Sequence, residues 1–212
     1  MSPRRAAAPL ILWAPGAGAP SSSAWMKRWA KHLGTLGRVV PFDYPYMRAG
    51  RKAPDRHDVL VAAHLEALER ARKGPRGKVV LAGKSMGSRM GCHAAVALEG
   101  EDAGAGAPDA LLCFGYPLRS PAGTLRDEVL LQLRATPILF VQGTDDSLCP
   151  LPLLAGVRQR MTAPNELHVV EGGNHSLEVG SRRLKERGLT ARDVEAATLE
   201  VVTAFLQRAL RD

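Results

Sequence analysis

The sequence predicts an α/β fold: a doubly wound, mostly parallel six-stranded sheet flanked by helices. Three observations carry this. Strand-like and helix-like segments alternate along the chain, the pattern of parallel sheets built from right-handed crossovers. The strand-like segments are short continuous apolar runs, as in Leu10-Ile11-Leu12-Trp13-Ala14, and such runs suit strands covered on both faces. Glycine-rich turns follow several of these runs, where a parallel sheet presents its ligand-binding edge.

Taken in order, the first strand spans 10–14 and runs into the loop Pro15-Gly16-Ala17-Gly18-Ala19-Pro20. Ser22 or Ser23 caps a helix to about Leu33, with Trp25, Met26, Trp29 and Leu33 on one face. A short second strand covers Arg38 to Phe42. A long loop from Asp43 to Pro54 follows. Asp55 starts a helix to about Lys73, its apolar stripe made of Val59, Leu60, Ala63, Leu65 and Leu68, and Gly74-Pro75-Arg76-Gly77 stops it. Lys78 to Ala82 is the third strand, and a helix runs from Ser85 to about Leu98. Glu101 to Pro108 reads as a surface loop. Ala110 to Phe114 is the fourth strand. Gly115 to Ala135 has room for a short helix and a loop. Thr136 to Gln142 is the fifth strand, with Pro137 at its start where a missing N–H is tolerated. A helix covers Pro150 to about Met161, and Glu166 to Val170 is the sixth strand. Thr190 caps a last helix to about Leu210.

At 212 residues the chain is long enough for one domain with such a core. We expect a lead-in over residues 1–9 and a single domain over 10–212, with no insertion long enough for a cap. No apolar run reaches the length of a membrane span, and Leu10 to Ala14 is too short for a signal h-region. Cys92, Cys113 and Cys149 do not make a disulfide framework, and no Cys/His spacing resembles a zinc site. A reducing cytoplasm is the expected setting. The formal charge of +8 is spread along the chain without a basic stripe interleaved with aromatics, so nucleic acid is not an expected partner. The densest basic patch, Arg182-Arg183-Leu184-Lys185-Glu186-Arg187, reads as a solvated surface segment or as a basic rim beside a site.

The chemistry-bearing residues fall just after strands. The third strand ends in Gly83-Lys84-Ser85-Met86-Gly87, a G-x-S-x-G turn that holds a serine hydroxyl exposed between strand and helix. Side chains at Gly83 or Gly87 would clash in so tight a turn. The fifth strand ends in Gly143-Thr144-Asp145-Asp146, and the sixth in Gly172-Gly173-Asn174-His175. Serine, acid and histidine thus reach one rim of the sheet in that order. Serine needs a base within hydrogen-bond reach, which points to His175. A carboxylate must orient the imidazole. Asp145 and Asp146 both qualify by position; Asp146 is preferred for the spacing Gly143-x-x-Asp146 with Cys149-Pro150 beyond it. Two N–H donors are needed for a developing oxyanion, and Met86 and Ala17 are chosen, the latter from the small-residue loop after the first strand. Lys84 and Arg89 flank the serine, either to pair with acids or to attract an anionic substrate. Asp43, Tyr44 and Tyr46 line a pocket or anchor their loop. His32, His57, His64, His93 and His168 read as packed or surface residues.

Those motifs, with Pro15-Gly16-Ala17-Gly18 and Gly173-Asn174-His175-Ser176, resemble the α/β-hydrolase superfamily over most of the chain. More narrowly the chain is similar to small, lidless dienelactone-hydrolase-like proteins. Within these it resembles a subgroup sharing Gly-Lys-Ser-Met-Gly-Ser-Arg (83–89), Phe-Asp-Tyr-Pro-Tyr (42–46), Gly-Tyr-Pro-Leu (115–118) and Val-Gln-Gly-Thr (141–144), a subgroup that includes testis-expressed and chromatin-complex proteins. The leading expectation is a serine hydrolase of the esterase or thioesterase type acting on a small ester-type substrate, with no cofactor, metal or membrane partner, as a monomer or homodimer; the resemblance itself does not supply the substrate. The competing expectations are a peptidase or C–C hydrolase on the same residues, and a catalytically idle interaction module. Two departures stand out: Pro15 where many hydrolases carry His, and Ser85 where dienelactone hydrolases proper use Cys.

Overall fold

The computed structural model describes residues 8–73, 77–100, 106–120 and 122–211. The expected helix stop at Gly74 to Arg76, nearly all of the lead-in and most of the 101–108 loop lie outside them. Fourteen elements are described: β1 (Leu10–Ala14), α1 (Ala24–Leu33), β2 (Arg38–Pro41), α2 (Pro45–Arg48), α3 (His57–Ala71), β3 (Val79–Lys84), α4 (Met86–Glu99), β4 (Ala110–Phe114), α5 (Glu128–Gln132), β5 (Ile138–Gly143), α6 (Leu151–Arg160), β6 (Asn165–Val170), α7 (Ser181–Glu186) and α8 (Ala191–Ala209). The strands form one sheet in the order β2-β1-β3-β4-β5-β6, and every pairing is parallel. The order reverses between β1 and β3, so the loops leaving these two strands part to opposite faces and open a crevice at their carboxyl ends.

Strand periodicity explains the two cores. Leu10, Leu12, Leu81, Leu111 and Phe140 face one helical layer, where Leu68, Ala94, Ala95, Leu130 and Leu154 are buried. Ile11, Trp13, Val80, Leu112 and Leu139 face the other, against Met26, Trp29, Leu33, Val202, Phe205 and Leu206 from α1 and α8. Alternate residues of one apolar run therefore serve opposite layers. Each such side chain, fully buried, stabilises the fold by about 1.5–3 kcal/mol. The edge strands β2 and β6 are less buried. Arg38 and Pro41 on β2 leave that edge a poor template for further pairing.

Several local expectations need correction. The stretch 43–54 contains the short helix α2, started by Pro45, whose fixed φ suits a first helical turn. The buried stripe of α3 is Leu60, Ala63, His64, Ala67, Leu68 and Ala71, a 3-4 repeat that leaves Val59 exposed. Ser23 takes the N-cap position of α1, but its side chain makes no capping bond. The basic patch forms α7, where Arg183 pairs with Asp145 and Arg182 with Glu186. Thr190 does cap α8, in a reciprocal box with Asp193. All three cysteines are buried free thiols. Among the described residues, no helix is long and apolar enough to cross a membrane, and no cluster of acids, histidines or cysteines could hold a metal ion.

Candidate active site

The turn after β3 explains its glycines. A Cβ at Gly83 would lie 2.4 Å from the Gly87 carbonyl carbon, and one at Gly87 would lie 2.4 Å from the Ala14 carbonyl oxygen. Strand, turn and helix therefore pass closer together than any side chain permits. Ser85, between them, takes φ 50° and ψ −115°. This left-handed φ is strained for a residue with a Cβ, at a cost of about 1–3 kcal/mol. The strain is held by neighbours on both sides. The Ser85 N–H donates to the Phe114 carbonyl at 2.9 Å, and the Ser88 hydroxyl donates to the Ser85 carbonyl at 2.6 Å.

Ser85, His175 and Asp146 lie in one hydrogen-bonded line. Ser85 Oγ is 2.8 Å from His175 Nε2, and His175 Nδ1 is 2.8 Å from Asp146 Oδ2. A carboxylate accepts, so the imidazole proton sits on Nδ1 and Nε2 is free to accept from the serine hydroxyl. Asp146 is 2% exposed and is held from three directions. Gln142 Nε2 donates to Oδ2 at 2.5 Å, the Leu148 N–H donates to Oδ1 at 2.9 Å, and His175 supplies the third bond. Asp145 turns the other way, to Arg183 at 2.5 Å and to the Thr144 hydroxyl at 3.0 Å.

The loop carrying His175 is fastened at consecutive carbonyls. Lys84 Nζ donates to the His175 carbonyl at 2.6 Å, and Trp25 Nε1 donates to the Ser176 carbonyl at 2.9 Å. The Lys84 ammonium also lies 5.3 Å from the centre of the Trp25 ring. Burial lowers its pKa to about 8, with Asp146 and Glu178 opposing the shift. Gly115, at φ 61°, lets the chain after β4 pass under the loop; a Cβ there would lie 2.5 Å from the His175 carbonyl oxygen. A Cβ at Gly143 would lie 2.0 Å from the Gly173 carbonyl oxygen, so at this point the loops bearing Asp146 and His175 meet backbone to backbone. Asn174 Oδ1 accepts from the N–H groups of Ser176 and Glu178 and shapes the turn beyond His175.

Met86 follows the serine in sequence, and Ala17 packs against the buried cluster that contains Met86. Met86 opens α4, where the helix dipole presents positive charge, and a Cβ at Gly16 would lie 3.4 Å from Ser85 Cβ. Among the described residues, neither the Ala17 nor the Met86 N–H donates to a protein acceptor. The Tyr46 hydroxyl donates to the Ala17 carbonyl at 2.9 Å, and Asp43 Oδ1 accepts from the Ser21 N–H at 2.6 Å. Both residues therefore anchor the loop after β1. Tyr44 is fully buried against His64. His32 pairs with Glu195, and His168 bonds Thr198, well away from the serine. Gln142, Trp25 and Gly115 also support the site, a role the sequence did not assign them, although Gly115 and Gln142 fall within the segments 115–118 and 141–144. A glutamine inside the apolar run of the fifth strand was the sequence signal for its role, since a buried polar side chain needs a partner.

The family model described as alpha/beta hydrolase domain matches residues 7–207. Solved structures similar in fold include a serine hydrolase without lid from Xanthomonas campestris, 18% identical, covering all of this chain and 87% of that one with a TM-score of 0.68. A dienelactone hydrolase from Anabaena variabilis is 18% identical over 97% of this chain and 88% of that one, TM-score 0.67. The RedJ thioesterase of the prodiginine pathway in Streptomyces coelicolor is 20% identical over 85% and 88%, TM-score 0.62.

Proposed function

The chain belongs to the alpha/beta hydrolase domain family, and on that premise we propose that it is a serine hydrolase cleaving an ester or thioester through an acyl-enzyme. Ser85 is the nucleophile. His175 takes its proton as Oγ attacks the substrate carbonyl, and Asp146 holds the imidazole and offsets the charge it gains. The Ala17 and Met86 N–H groups receive the oxyanion. Donors of this kind are worth about 10²–10³ each in rate. His175 then passes the proton to the leaving alcohol or thiol, and the acyl group remains on Oγ. Water, deprotonated by His175, attacks the acyl carbon and releases the acid and free Ser85. No metal or organic cofactor enters these steps. The reading treats residues 10–212 as one catalytic domain working in a reducing cytoplasm.

The observation that carries this is the unbroken line of contacts from Ser85 Oγ through His175 to Asp146, both links 2.8 Å. An idle interaction module has no need to keep the serine strained, nor the histidine within reach of it. Labelling with a fluorophosphonate probe tests the proposal. Native protein should label, and Ser85→Ala should not. Absence of labelling in the native protein, or equal labelling of both, would sink it.

A further inference from the structure

The segment Phe42-Asp43-Tyr44-Pro45-Tyr46 leaves the edge strand β2 and enters the single turn of α2. The line from Ser85 to Asp146 uses none of its side chains. Its contacts lead instead to the loop after β1. The Tyr46 hydroxyl donates to the Ala17 carbonyl at 2.9 Å, and Asp43 Oδ1 accepts from the Ser21 N–H at 2.6 Å. Among the described residues, this tyrosine makes the one hydrogen bond to residues 16–19, whose N–H and C=O groups pair with no other backbone. Gly16 and Gly18 flank Ala17, and a Cβ at Gly18 would meet nothing within 4 Å. Glycine leaves the backbone freer than any other residue, so the loop has little of its own to fix where the Ala17 N–H points.

Tyr46 is itself firmly held. It is 1% exposed. Its N–H donates to Asp55 Oδ2 at 2.9 Å, and its carbonyl accepts from the Arg51 N–H at 2.8 Å. The Arg51 guanidinium closes the circuit on Asp55 Oδ1 at 2.5 Å. Pro45 has a fixed φ, so the turn between Asp43 and Tyr46 sets the distance between the two points at which the loop is held. Tyr44 and Tyr46 also form one buried cluster with Met86 and Met90, against which Ala17 packs. Ala17 and Met86, the two oxyanion donors of the proposed reaction, thus meet the same turn. Burial, then the charges of Asp55 and Asp43, raises the Tyr46 pKa to about 12. The hydroxyl therefore remains a donor throughout the range in which a histidine base works.

We propose that Tyr46 is a positioning residue for the oxyanion hole: through the Ala17 carbonyl it fixes the direction of the Ala17 N–H, while Asp43 holds the far end of the loop at Ser21. This rests on Ser85 being the nucleophile and Ala17 a donor, and it gives the 42–46 segment a task in that reaction. Tyr46 acts through Ala17 and not on the reacting atoms. Its effect belongs to the transition state, because the substrate oxygen draws most on the two N–H groups once it carries charge.

Tyr46→Phe keeps the ring and removes the hydroxyl. With 4-nitrophenyl acetate as substrate, kcat should fall about tenfold and KM should stay within about twofold. That matches one lost supporting hydrogen bond and falls short of the about 10²–10³ that a lost oxyanion donor costs. The specific readout is phenyl trifluoromethyl ketone. Ser85 Oγ bonds to its carbonyl carbon as the hydroxyl proton passes to His175, which leaves an oxyanion in the same hole. Its Ki should rise by the factor by which kcat/KM falls, whereas acetophenone, too unreactive to add, should bind both proteins alike. Thermal unfolding checks the fold. If Tyr46→Phe does not fold, Asp43→Ala carries the test with the same signature at about threefold. If the ester is not turned over but fluorophosphonate labels, the labelling rate stands in for kcat: about tenfold slower in the variant supports the role, and equal rates overturn it. An unchanged kcat, a rise in KM alone, or an unchanged Ki for the trifluoromethyl ketone overturns the positioning role, while wild-type turnover leaves the hydrolase reading standing. If wild-type protein neither turns over the ester nor labels, the hydrolase reading falls and the positioning role falls with it.

Discussion

Lys84 Nζ donates to the backbone carbonyl of His175 at 2.6 Å, so the residue before the serine holds the loop that carries the imidazole. A lysine at the end of a buried strand ordinarily needs an acid. Here the ammonium is spent on a carbonyl and on the face of Trp25, which itself holds the next carbonyl. Ser85 and His175 sit 90 residues apart in sequence, and Lys84 ties their separation to β3 instead of to loop packing.

Removing this tie should act on kcat more than on KM. Lys84→Met keeps the apolar stem but loses the donor, and the loss of a charge-assisted bond predicts a kcat about tenfold to a hundredfold lower. The group also carries a pH signature. Its pKa is lowered to about 8, so above that pH the ammonium becomes an amine and the tie weakens. Wild-type activity should show a falling limb near pH 8 that is missing from Lys84→Met. A pH–rate profile of both proteins on a neutral ester checks this.

The adjacent acids should separate cleanly. Asp146→Asn keeps the shape but replaces the oxygen that accepts from Nδ1, and the imidazole can no longer keep Nε2 unprotonated toward Ser85. A fall in kcat of about 10³–10⁴ is expected. Asp145→Asn removes a half-exposed pair with Arg183 and should cost less than about 1 kcal/mol of stability with little change in rate. Steady-state kinetics on the two variants, with urea unfolding alongside, would expose a reversed order.

These residues also show how far pattern reading reaches. Parallel strands announce themselves because burial on both faces forces a continuous apolar run, as in 10–14 and 110–114. Gly83 and Gly87 are legible because the close approach they permit is local. Ser85, Asp146 and His175 fall at strand ends in an order that pattern alone reveals. What stays hidden is long-range. Trp25 reaches Ser176 across 151 residues, and Lys84 reaches the His175 carbonyl across 91. The helix α2 is a single turn inside a loop, too short for any periodicity. Val59 and Ala67 differ in burial by a rotation of the α3 stripe that hydrophobicity counts do not fix.

The strain at Ser85 predicts an unusual ranking of inactive variants. Ser85→Ala keeps a Cβ at φ 50° and keeps the strain. Ser85→Gly removes it, a gain of about 1–3 kcal/mol. Glycine also gives the unfolded chain more freedom, which takes back roughly 0.5–1 kcal/mol. The net expectation is that Ser85→Gly is the more stable of the two by about 1 kcal/mol in urea titrations. Equal stabilities would mean that the turn carries no strain.

His64 should set part of the acid sensitivity. It is fully buried on α3, bonded to the Tyr44 hydroxyl at 3.2 Å, with its Nε2 unpartnered among the described residues. Burial lowers its pKa to about 3, against 6.5 for the free side chain. Between these values the unfolded chain binds a proton that the native state does not, so stability rises with pH across the window and is lost as pH falls below 6.5. From pH 7 to pH 5 this one residue should withdraw about 2 kcal/mol. His64→Phe keeps the ring packing against Phe42 and has nothing to protonate. Its unfolding free energy should therefore fall less than that of the wild type over the same interval, even though it starts lower at pH 7 for want of the Tyr44 bond. Parallel acid limbs in the two proteins would assign the sensitivity to other groups.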